Sequence, residues 1–421
     1  MVINRLKKYD VAIVGGGIAG IAAAVGAVRT GAKVILIERN SYLGGEATHS
    51  GVGAFCGFYT CGENPIRVVE GVGSLVLEEM RKLGNTFEYI LSATGNRNIN
   101  FQTEYLKCAL DNLLEKENVD YLLHARLIAA DVEKNKIKAI TCVDDEGFFK
   151  VKAQSFVDAT GDANLANLAN AETVWGDAKK LVQAATLSFR LSGVDTSKDL
   201  SPTAVEKAIV KAKKEGISNL TKEKGFILKL MSSDYVTALL PSTFVENMTA
   251  EELTKAEKYT RRQVLAYIEA LKKYMPGMEN AKLIMIGPSI GLRETRRLKG
   301  KTIILAEDVL QRRKRKDGIA RGGWKPEIHK NLHQMGTYLD VEHGSYFDIP
   351  LASLQSSNIE NLYGVGRIVS SDEIAFAAIR VMGTCFATGH AGGIAAAYQA
   401  LYDEVNVEVI RKELKKQNAL I

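Results

Sequence analysis

The sequence lacks any uncharged apolar run of twenty residues, which is the length that a membrane-spanning helix requires. A basic start, MVINRLKK, precedes an apolar stretch, but three consecutive glycines and Arg29 interrupt that stretch, so we do not interpret it as a signal peptide. The five cysteines are odd in number and include no CxxC motif. Cysteine usage of this kind is typical of a reducing compartment. We therefore expect a cytoplasmic protein without a membrane span.

Signals for metals, nucleoside triphosphates and nucleic acid are also missing. No zinc-ligand spacing, P-loop or local catalytic triad occurs, and we expect no metal site. The net charge of +6 on 421 residues is modest and does not argue for a nucleic-acid partner. The densest basic run, RRKRK at 312–316, precedes Gly318, and we interpret it as a solvated loop rather than an anion or nucleic-acid patch.

A glycine fingerprint near the start is the strongest positive signal. Residues 9–14 predict a buried strand, residues 18–30 a helix rich in small side chains, and residues 33–37 a second strand. The turn between the first strand and the helix has the G-x-G-x-x-G spacing, with its glycines at Gly15, Gly17 and Gly20. Strand, glycine turn, helix and strand in this order predict a dinucleotide-binding unit.

Each glycine of this fingerprint, and the acidic residue that follows it, has a physical role. Gly15 permits the tight turn, Gly17 lets a pyrophosphate approach the backbone, and Gly20 lets helix and strand pack closely. The helix N-terminus offers N–H groups and partial positive charge to the pyrophosphate. Glu38 closes the second strand, where its carboxylate can accept hydrogen bonds from an adenosine ribose and would repel a 2′-phosphate.

Further glycine-bearing turns favour a flavin over a nicotinamide cofactor. Gly44 and Gly45 follow the second strand, with Thr48 close behind, and a flavin extending past the first turn needs such close backbone approach. Residues 151–157 predict a strand that leads into the turn ATGDA, where we expect Asp162 to cap the next helix. Residues 380–402 predict a glycine- and alanine-rich helix whose N-terminus is suited to the negative charge of a reduced flavin.

In the order and spacing of its motifs, the chain resembles the bacterial FAD-dependent oxidoreductases of the glutathione-reductase-type FAD fold. The motifs are GGGIAG, IERNSYLGGEAT, VDATGDA, GLRETRRLKG, NLYGVGR and RVMGTCFATGHAGG, and they span nearly the whole chain. More distantly, the chain is similar to fumarate reductase and succinate dehydrogenase flavoproteins. The resemblance implies FAD, and we predict the cofactor-binding residues Gly15, Gly17, Gly20, Glu38, Arg39, Gly44, Gly45, Thr48, His49, Leu127, Gly161, Asp162, Gly366, Arg367, Met382, Gly383 and Thr384.

We predict an α/β fold in two domains. A Rossmann-like FAD-binding domain with a parallel sheet and a β-meander takes residues 1–170 and 345–421, and an α+β substrate or cap domain takes residues 171–344. The meander is predicted from strands at 121–127, 129–133, 137–143 and 148–151. The resemblance implies that the first of these strands, which ends near Leu127, passes the adenine. The sequence has only seven prolines, so no rigid linker separates the domains.

Candidate catalytic residues lie in the predicted cap domain. GLRETRRLKG is dense with cations, and on a helix Arg293 would share a face with Arg296 or Arg297, which suits a carboxylate or a flavin phosphate. An arginine–glutamate network that fixes the domain interface is the alternative. His329 and Tyr346 are candidate proton donors, with solvent-exposed loop residues as the alternative.

His49 and the cysteines leave alternatives open. A histidine near this point binds the flavin covalently in fumarate-reductase-like enzymes, but one residue is not a motif, and we expect a non-covalent flavin. Cys56 and Cys61 lie close to the flavin glycines, and their spacing is not that of disulfide reductases, so packing is favoured over redox function.

The sequence thus predicts an enzyme that transfers a hydride between N5 of FAD and a small organic, possibly anionic, substrate. The electron donor or acceptor and the oligomeric state are not indicated. The alternative is a non-catalytic flavin- or nucleotide-binding protein or a tRNA-modification partner.

Overall fold

The glycine turn lies where a parallel sheet meets a buried helix, in a computed structural model that describes residues 5–92, 94–230 and 233–421. The helices are α1 (Ile18–Arg29), α2 (Glu46–His49), α3 (Val72–Lys82), α4 (Thr103–Lys116), α5 (Asn164–Leu168), α6 (Pro202–Lys214), α7 (Ala250–Tyr274), α8 (Ala306–Leu310), α9 (Glu373–Ile379), α10 (Met382–Tyr402) and α11 (Val407–Lys416). The strands are β1 (Arg5–Lys8), β2 (Val11–Val14), β3 (Val34–Ile37), β4 (Ala54–Phe55), β5 (Glu88–Leu91), β6 (Arg97–Asn100), β7 (Asp120–Leu122), β8 (Arg126–Glu133), β9 (Lys136–Asp144), β10 (Gly147–Lys152), β11 (Ser155–Asp158), β12 (Thr173–Trp175), β13 (Ala185–Thr186), β14 (Phe189–Ser192), β15 (Phe226–Lys229), β16 (Tyr235–Leu239), β17 (Ser242–Thr243), β18 (Lys282–Ile286), β19 (Arg296–Leu298), β20 (Gly318–Gly322), β21 (Glu327–Ile328), β22 (Thr337–Tyr338), β23 (Phe347–Pro350) and β24 (Leu362–Gly364).

The central sheet has the order β24-β11-β2-β3-β7, and all of its pairings are parallel. Strands β2, β3 and β11 are buried along their whole length, as expected for a sheet covered on both faces. The C-terminal strand β24 returns to pair with β11, so the end of the chain completes the unit that its start begins. This arrangement confirms the predicted α/β class with a Rossmann-like parallel sheet.

Helices α1 and α10 pack against the central sheet, and their backbones are in contact with each other. A Cβ on Gly389 would lie 2.2 Å from the Ala19 carbonyl oxygen, and one on Gly393 would lie 2.0 Å from that of Ala23. Gly389 and Gly393 are four residues apart on α10, as are Ala19 and Ala23 on α1. The two helices therefore meet through faces of small residues over a full turn. Only glycine on α10 permits this approach.

The meander sheet has the order β1-β10-β9-β8 and differs from the predicted strands in two places. The predicted first strand, 121–127, is wrong, because β7 ends at Leu122 and belongs to the parallel sheet. The predicted breaks around residue 128 are also wrong, because β8 runs unbroken from Arg126 to Glu133 and absorbs its irregularities as bulges against β9. Leu127 therefore lies at the start of a strand and not at the end of one.

A third difference concerns residues 151–157, which were predicted as one strand. The structure ends β10 at Lys152 and starts β11 at Ser155, and the two strands belong to different sheets. The alternation of residues 151–157 does not reveal this change of sheet, because the partly buried end of β10 and the fully buried β11 are separated by only two residues.

The cap is built on an antiparallel sheet of order β15-β16-β14-β18, covered by α6 and α7. Ser201 and Thr249 cap these helices by accepting hydrogen bonds from Ala204 N and Glu252 N, both at 3.3 Å. Their apolar faces form a core separate from that of the FAD domain. Residues of the segment 304–320 pack instead in the core of α1 and α10, although the predicted cap domain runs to residue 344.

Among the described residues, no single helix has the length and apolar composition needed to cross a membrane. Helices α9 and α10 meet that test only as a pair bent by 93°.

We predict that Gly393→Ala destabilises the protein, because the new methyl group meets the Ala23 carbonyl and forces α10 away from α1. The expected loss in the free energy of unfolding is about 1–3 kcal/mol. Urea unfolding followed by circular dichroism measures it. Ala400→Ser, which adds one atom to the half-buried last turn of the same helix, is the control and should behave as wild type. Equal midpoints for Gly393→Ala and wild type would show that the helices have room to separate.

Candidate functional site

A cavity of about 850 Å³ opens at the carboxyl ends of β2, β3 and β11. This volume lies within the usual range of ligand clefts, about 300–1,000 Å³. Most of the predicted cofactor residues line it, namely Gly15, Gly17, Glu38, Arg39, Gly44, Gly45, His49, Leu127, Gly161, Asp162, Gly366, Arg367 and Met382. The other predicted residues, Gly20, Thr48, Gly383 and Thr384, lie behind this lining. The structure therefore gathers distant motifs around one cleft.

The three fingerprint glycines have separate roles in the structure. Gly15 has a φ of +105°, and a Cβ there would lie 2.4 Å from the Ala159 carbonyl oxygen. A Cβ on Gly20 would lie 1.9 Å from the Gly15 carbonyl oxygen. Gly17 is different, because its extended backbone suits any residue and the nearest described atom to its Cβ would be Gly45 Cα at 3.7 Å. The fold does not need glycine at position 17, whereas a ligand against the backbone does.

Glu38 lies at the end of β3 with only 6% of its surface exposed. Its carboxylate accepts hydrogen bonds from Gly16 N at 2.7 Å and Asn40 N at 2.8 Å. These two bonds hold the side chain across the mouth of the glycine turn, on the wall of the cavity. An acceptor fixed in this place fits an adenosine ribose hydroxyl.

The second glycine turn packs directly on the first. Gly44 N donates to Gly16 O at 2.8 Å, and a Cβ on Gly45 would lie 2.9 Å from Gly17 Cα. Thr48 turns away from the cavity, and its hydroxyl donates to Leu43 O at 2.6 Å. The doublet is therefore the support on which Gly17 rests, and Thr48 fixes the doublet.

An ion network closes the middle of the cleft. Arg367 contacts Glu46 at 2.6 Å and Asp162 at 2.7 Å, and it donates to Gly161 O. Burial alone would lower the pKa of Arg367, but the two carboxylates outweigh it and raise that pKa. The expectation that Asp162 caps the following helix is wrong, because the carboxylate of Asp158 accepts from Thr160 N and Ala166 N instead.

The N-terminus of α10 forms the far end of the cleft. Met382 lines the cavity, and α10 begins there without a side-chain cap from the described residues. Gly383 lets this end approach the loop of residues 56–58, since a Cβ would lie 2.4 Å from Gly57 C. The buried Thr384 hydroxyl has no hydrogen-bond partner among the described residues. This end of the helix therefore suits a ligand with negative charge.

These features fit an extended dinucleotide such as FAD. The glycine turn and the α1 N-terminus would hold the pyrophosphate, Glu38 would hold the ribose, and the α10 N-terminus would face the flavin ring.

The segment of residues 291–300 is not the predicted helix. Arg296 and Arg297 belong to β19, which pairs with β12, so the three arginines take different directions. Arg297 is buried against Glu294 at 2.5 Å, and Arg296 donates to Asp162 O and Asn164. Only Arg293 lies toward the cap, where one of its terminal nitrogens donates to Ala184 O and to Thr186 Oγ1.

Arg293 does not line the cleft but belongs to a second group of polar residues next to it. We call this group the substrate chamber, after the role that is proposed for it below. Its members are Arg293, Glu327, His329, Tyr338, Arg380 and Cys56. Most of them are deeply enclosed by protein, yet Arg293, Glu327 and Cys56 keep some accessible surface. Arg380 joins the chamber to the cleft, because it lines the cavity and donates to Glu327 O at 3.0 Å.

Glu327 is ionised and His329 is neutral in this group of residues. Burial alone would raise the pKa of Glu327, but the His329 hydrogen bond at 3.0 Å and the two nearby guanidinium groups hold it well below its usual range. Burial and the charge of Arg293 lower the pKa of His329 to about 3. His329 is therefore neutral, with its proton on Nε2, because the carboxylate can only accept.

The remaining predicted residues, namely Tyr346, His49 and the two cysteines, lie in different places. The ring of Tyr346 packs under Lys314 and Arg321, and Tyr346 does not line the cleft. His49 lines the cleft, where its Nδ1 lies 3.1 Å from the Tyr42 hydroxyl, and burial lowers the pKa of His49. Cys61 is buried 3.5 Å from Arg312, whereas Cys56 belongs to the chamber.

Sequence reasoning missed several members of this group. Glu327 stands two residues before His329, and Arg380 stands two residues before Met382. Both therefore lie next to residues that the sequence did predict for the site. Tyr338 has no motif and reaches Glu327 only because β21 and β22 pair with these residues opposite each other.

Comparison with known proteins agrees with this geometry. Residues 10–417 match the family model described as FAD dependent oxidoreductase. A search of curated proteins gives no significant match. Among solved structures, GidA of Aquifex aeolicus is 13% identical over 95% of this chain and 64% of its own, with a TM-score of 0.52. A geranylgeranyl bacteriochlorophyll reductase-like protein from Thermoplasma acidophilum is 14% identical over 99% of this chain and 85% of its own, with a TM-score of 0.47.

The chain belongs to the FAD-dependent oxidoreductase family, as the motifs predicted. It is an FAD-dependent oxidoreductase, and the likeness to GidA, at this low identity, supports the fold alone. FAD is its cofactor.

We predict that Gly17→Val leaves the fold intact but abolishes FAD binding, because the new side chain has room in the protein but projects toward the pyrophosphate. Flavin released by heat from the purified protein, identified by chromatography, measures this. Gly20→Ala is the contrasting variant and should destabilise the fold itself. Normal FAD content in Gly17→Val, or FMN in place of FAD, would contradict the assignment.

We also predict that the flavin is not covalently bound, since one ring nitrogen of His49 is engaged by Tyr42. Acid precipitation should leave the yellow colour in the supernatant. Colour that stays with the pellet, and is lost from it in His49→Ala, would show a covalent link.

Proposed function

We propose that the protein exchanges a hydride between FAD and a small organic substrate that carries a carboxylate. Bound FAD supplies the two-electron chemistry, and the chamber beside the cleft supplies the substrate site. A small-molecule substrate and a separate electron donor or acceptor are the partners that this reaction needs.

One observation carries the proposal. Both protein hydrogen bonds of Arg293 use the same terminal nitrogen, so its Nε and other terminal nitrogen make no hydrogen bond within the described part of the chain. These two nitrogens form one edge of the guanidinium, with parallel N–H groups that match a carboxylate. Arg293 is thus fixed through one nitrogen, and the N–H groups of its other edge have no acceptor among the described residues.

The charge balance of the chamber supports an anionic ligand. Arg293 and Arg380 are two cations beside the carboxylate of Glu327, and His329 is neutral. Glu46 also attracts Arg293, but it is paired with Arg367. Buried charge without compensation is costly, and a bound carboxylate would remove the excess. By contrast, Arg367 in the cleft is already compensated by Glu46 and Asp162.

The charge argument for a nucleic-acid partner is weaker in the folded protein. In the run 312–316, Arg312 is buried, Arg313 pairs with Asp308, and Arg315 pairs with Asp317. Two of the five cations of the run are therefore ion-paired within the chain, and a third is buried.

We predict that Arg293→Lys weakens carboxylate binding by about 1–3 kcal/mol, because lysine keeps the charge but loses the planar fork. Titration of the oxidised flavin spectrum with acetate, glycolate and succinate measures the affinity, and FAD content should not change. Arg261→Lys, on the exposed face of α7, is the matched control. Loss of FAD from Arg293→Lys, with normal carboxylate binding per flavin, would show that this arginine serves the cofactor.

A further inference from the structure

Part of the lining of the cofactor cleft comes from the cap and not from the FAD-binding domain. Seven cap residues line the cavity, and four of them are apolar. These four, which we call the cap wall, are Met248, Leu253, Ile290 and Leu292. They come from the start of α7 and from the loop that follows β18, so distant parts of the cap form one surface.

Backbone hydrogen bonds hold the loop part of the cap wall from two sides. Gly291 N donates to Thr186 O at 2.9 Å, and Thr186 N donates to Gly291 O at 3.1 Å. On the other side, the carboxylate of Glu257 on α7 accepts from Ile290 N at 2.7 Å. The loop is therefore joined to both β13 and α7, and the cap wall is formed before any ligand binds.

The side chains of the cap wall are unevenly buried. Ile290 has 5% of its surface exposed and belongs to a small apolar cluster that is separate from the core of α6 and α7. Leu253 and Leu292 pack on this cluster, but they and Met248 are only partly buried. A ligand that covers these three side chains with apolar surface gains the free energy of removing them from water.

Contacts with α2 show where along the cleft the cap wall lies. A Cβ on Gly291 would lie 3.2 Å from Ser50 Cβ and 3.3 Å from Glu46 Oε2. Both residues belong to the segment that connects the two helix N-termini of the cleft, because Gly45 packs at the N-terminus of α1 and Gly57 packs at that of α10. The cap wall thus lies against the stretch between the place for the pyrophosphate and the place for the flavin ring.

We propose that the cap wall covers the flavin half of bound FAD and excludes water from it. The isoalloxazine ring is the large apolar surface of FAD, whereas the pyrophosphate and the ribose require the polar groups already described. The cap is then part of the cofactor site, and its apolar side chains keep the reacting part of FAD dry. This inference does not rest on the proposed carboxylate substrate, so either one can fail alone.

The first test measures the exposure of the flavin in the FAD-bound protein. A variant that combines Leu253→Ala with Leu292→Ala opens the cap wall, so the quenching of flavin fluorescence by acrylamide should rise toward that of free FMN. The shoulders of the flavin absorption band, which sharpen in a dry site, should become weaker. Leu265→Ala on the same helix is the matched control, because Leu265 is 62% exposed and does not line the cleft. Quenching and shoulders equal to those of wild type would overturn the inference.

The second test asks which half of FAD meets the cap wall. ADP, which shares only the adenosine half, is added to FAD-bound protein until half of the FAD is released. The double variant should bind FAD about 10–100-fold less tightly, since it loses part of the burial of two leucines, and should bind ADP as wild type does. The ADP concentration needed should therefore fall by the same factor. An unchanged concentration would mean that FAD and ADP are weakened alike or not at all, and either case overturns the assignment to the flavin half.

The third test separates cofactor contact from substrate contact and from misfolding. If the double variant keeps wild-type FAD affinity and quenching but binds benzoate less tightly, the cap wall contacts the substrate and the inference is wrong. Met248→Ala changes a residue outside the small apolar cluster and should alter quenching and FAD affinity in the same direction, even if the double variant fails to fold. Wild-type values in Met248→Ala as well would leave the cap wall no role in FAD binding.

Discussion

The backbone contact between α1 and α10 is the constraint on which the site depends. Gly389 and Gly393 let α10 lie on the carbonyls of Ala19 and Ala23, closer than any side chain would permit. This contact brings the N-termini of two helices, at Gly17 and Met382, to the same cleft. Each N-terminus carries partial positive charge, so both ends of an anionic dinucleotide meet a favourable field. The pairing of β24 with β11 then closes the sheet behind them.

Charge compensation separates the cofactor cleft from the substrate chamber. In the cleft, the charge of Arg367 is matched by Glu46 and Asp162. In the chamber, Arg293 keeps one edge of its guanidinium open, and the carboxylate of Glu327 is shared with His329 and Arg380. Arg367 with its two carboxylates supports the architecture, whereas the proposed function assigns the unpaired edge of Arg293 to a ligand.

Local sequence signals were enough for the cofactor half of the protein. The glycine turn of residues 15–20 and the acid at Glu38 are close in sequence, so their spacing reports their geometry directly. Helix α7 also ends at local signals, since Thr249 caps its start and Pro276 follows two residues after its last residue. Strand limits were less accurate near residue 153, where the chain passes within two residues from the meander sheet to the central sheet.

The residues around Arg293 could not be predicted from local sequence, because they meet only through tertiary contacts. Arg293 was expected on a helix, but pairing of β19 with β12 overrides the local pattern. Tyr346 was expected near the flavin, and the structure places it under Lys314 instead.

The most direct measurement is a crystal structure of the FAD-bound protein with glycolate. We expect FAD along the 850 Å³ cleft and the glycolate carboxylate on the free edge of Arg293. Glycolate bound away from Arg293, or an Arg293 guanidinium whose open edge is occupied by the flavin phosphates, would contradict it.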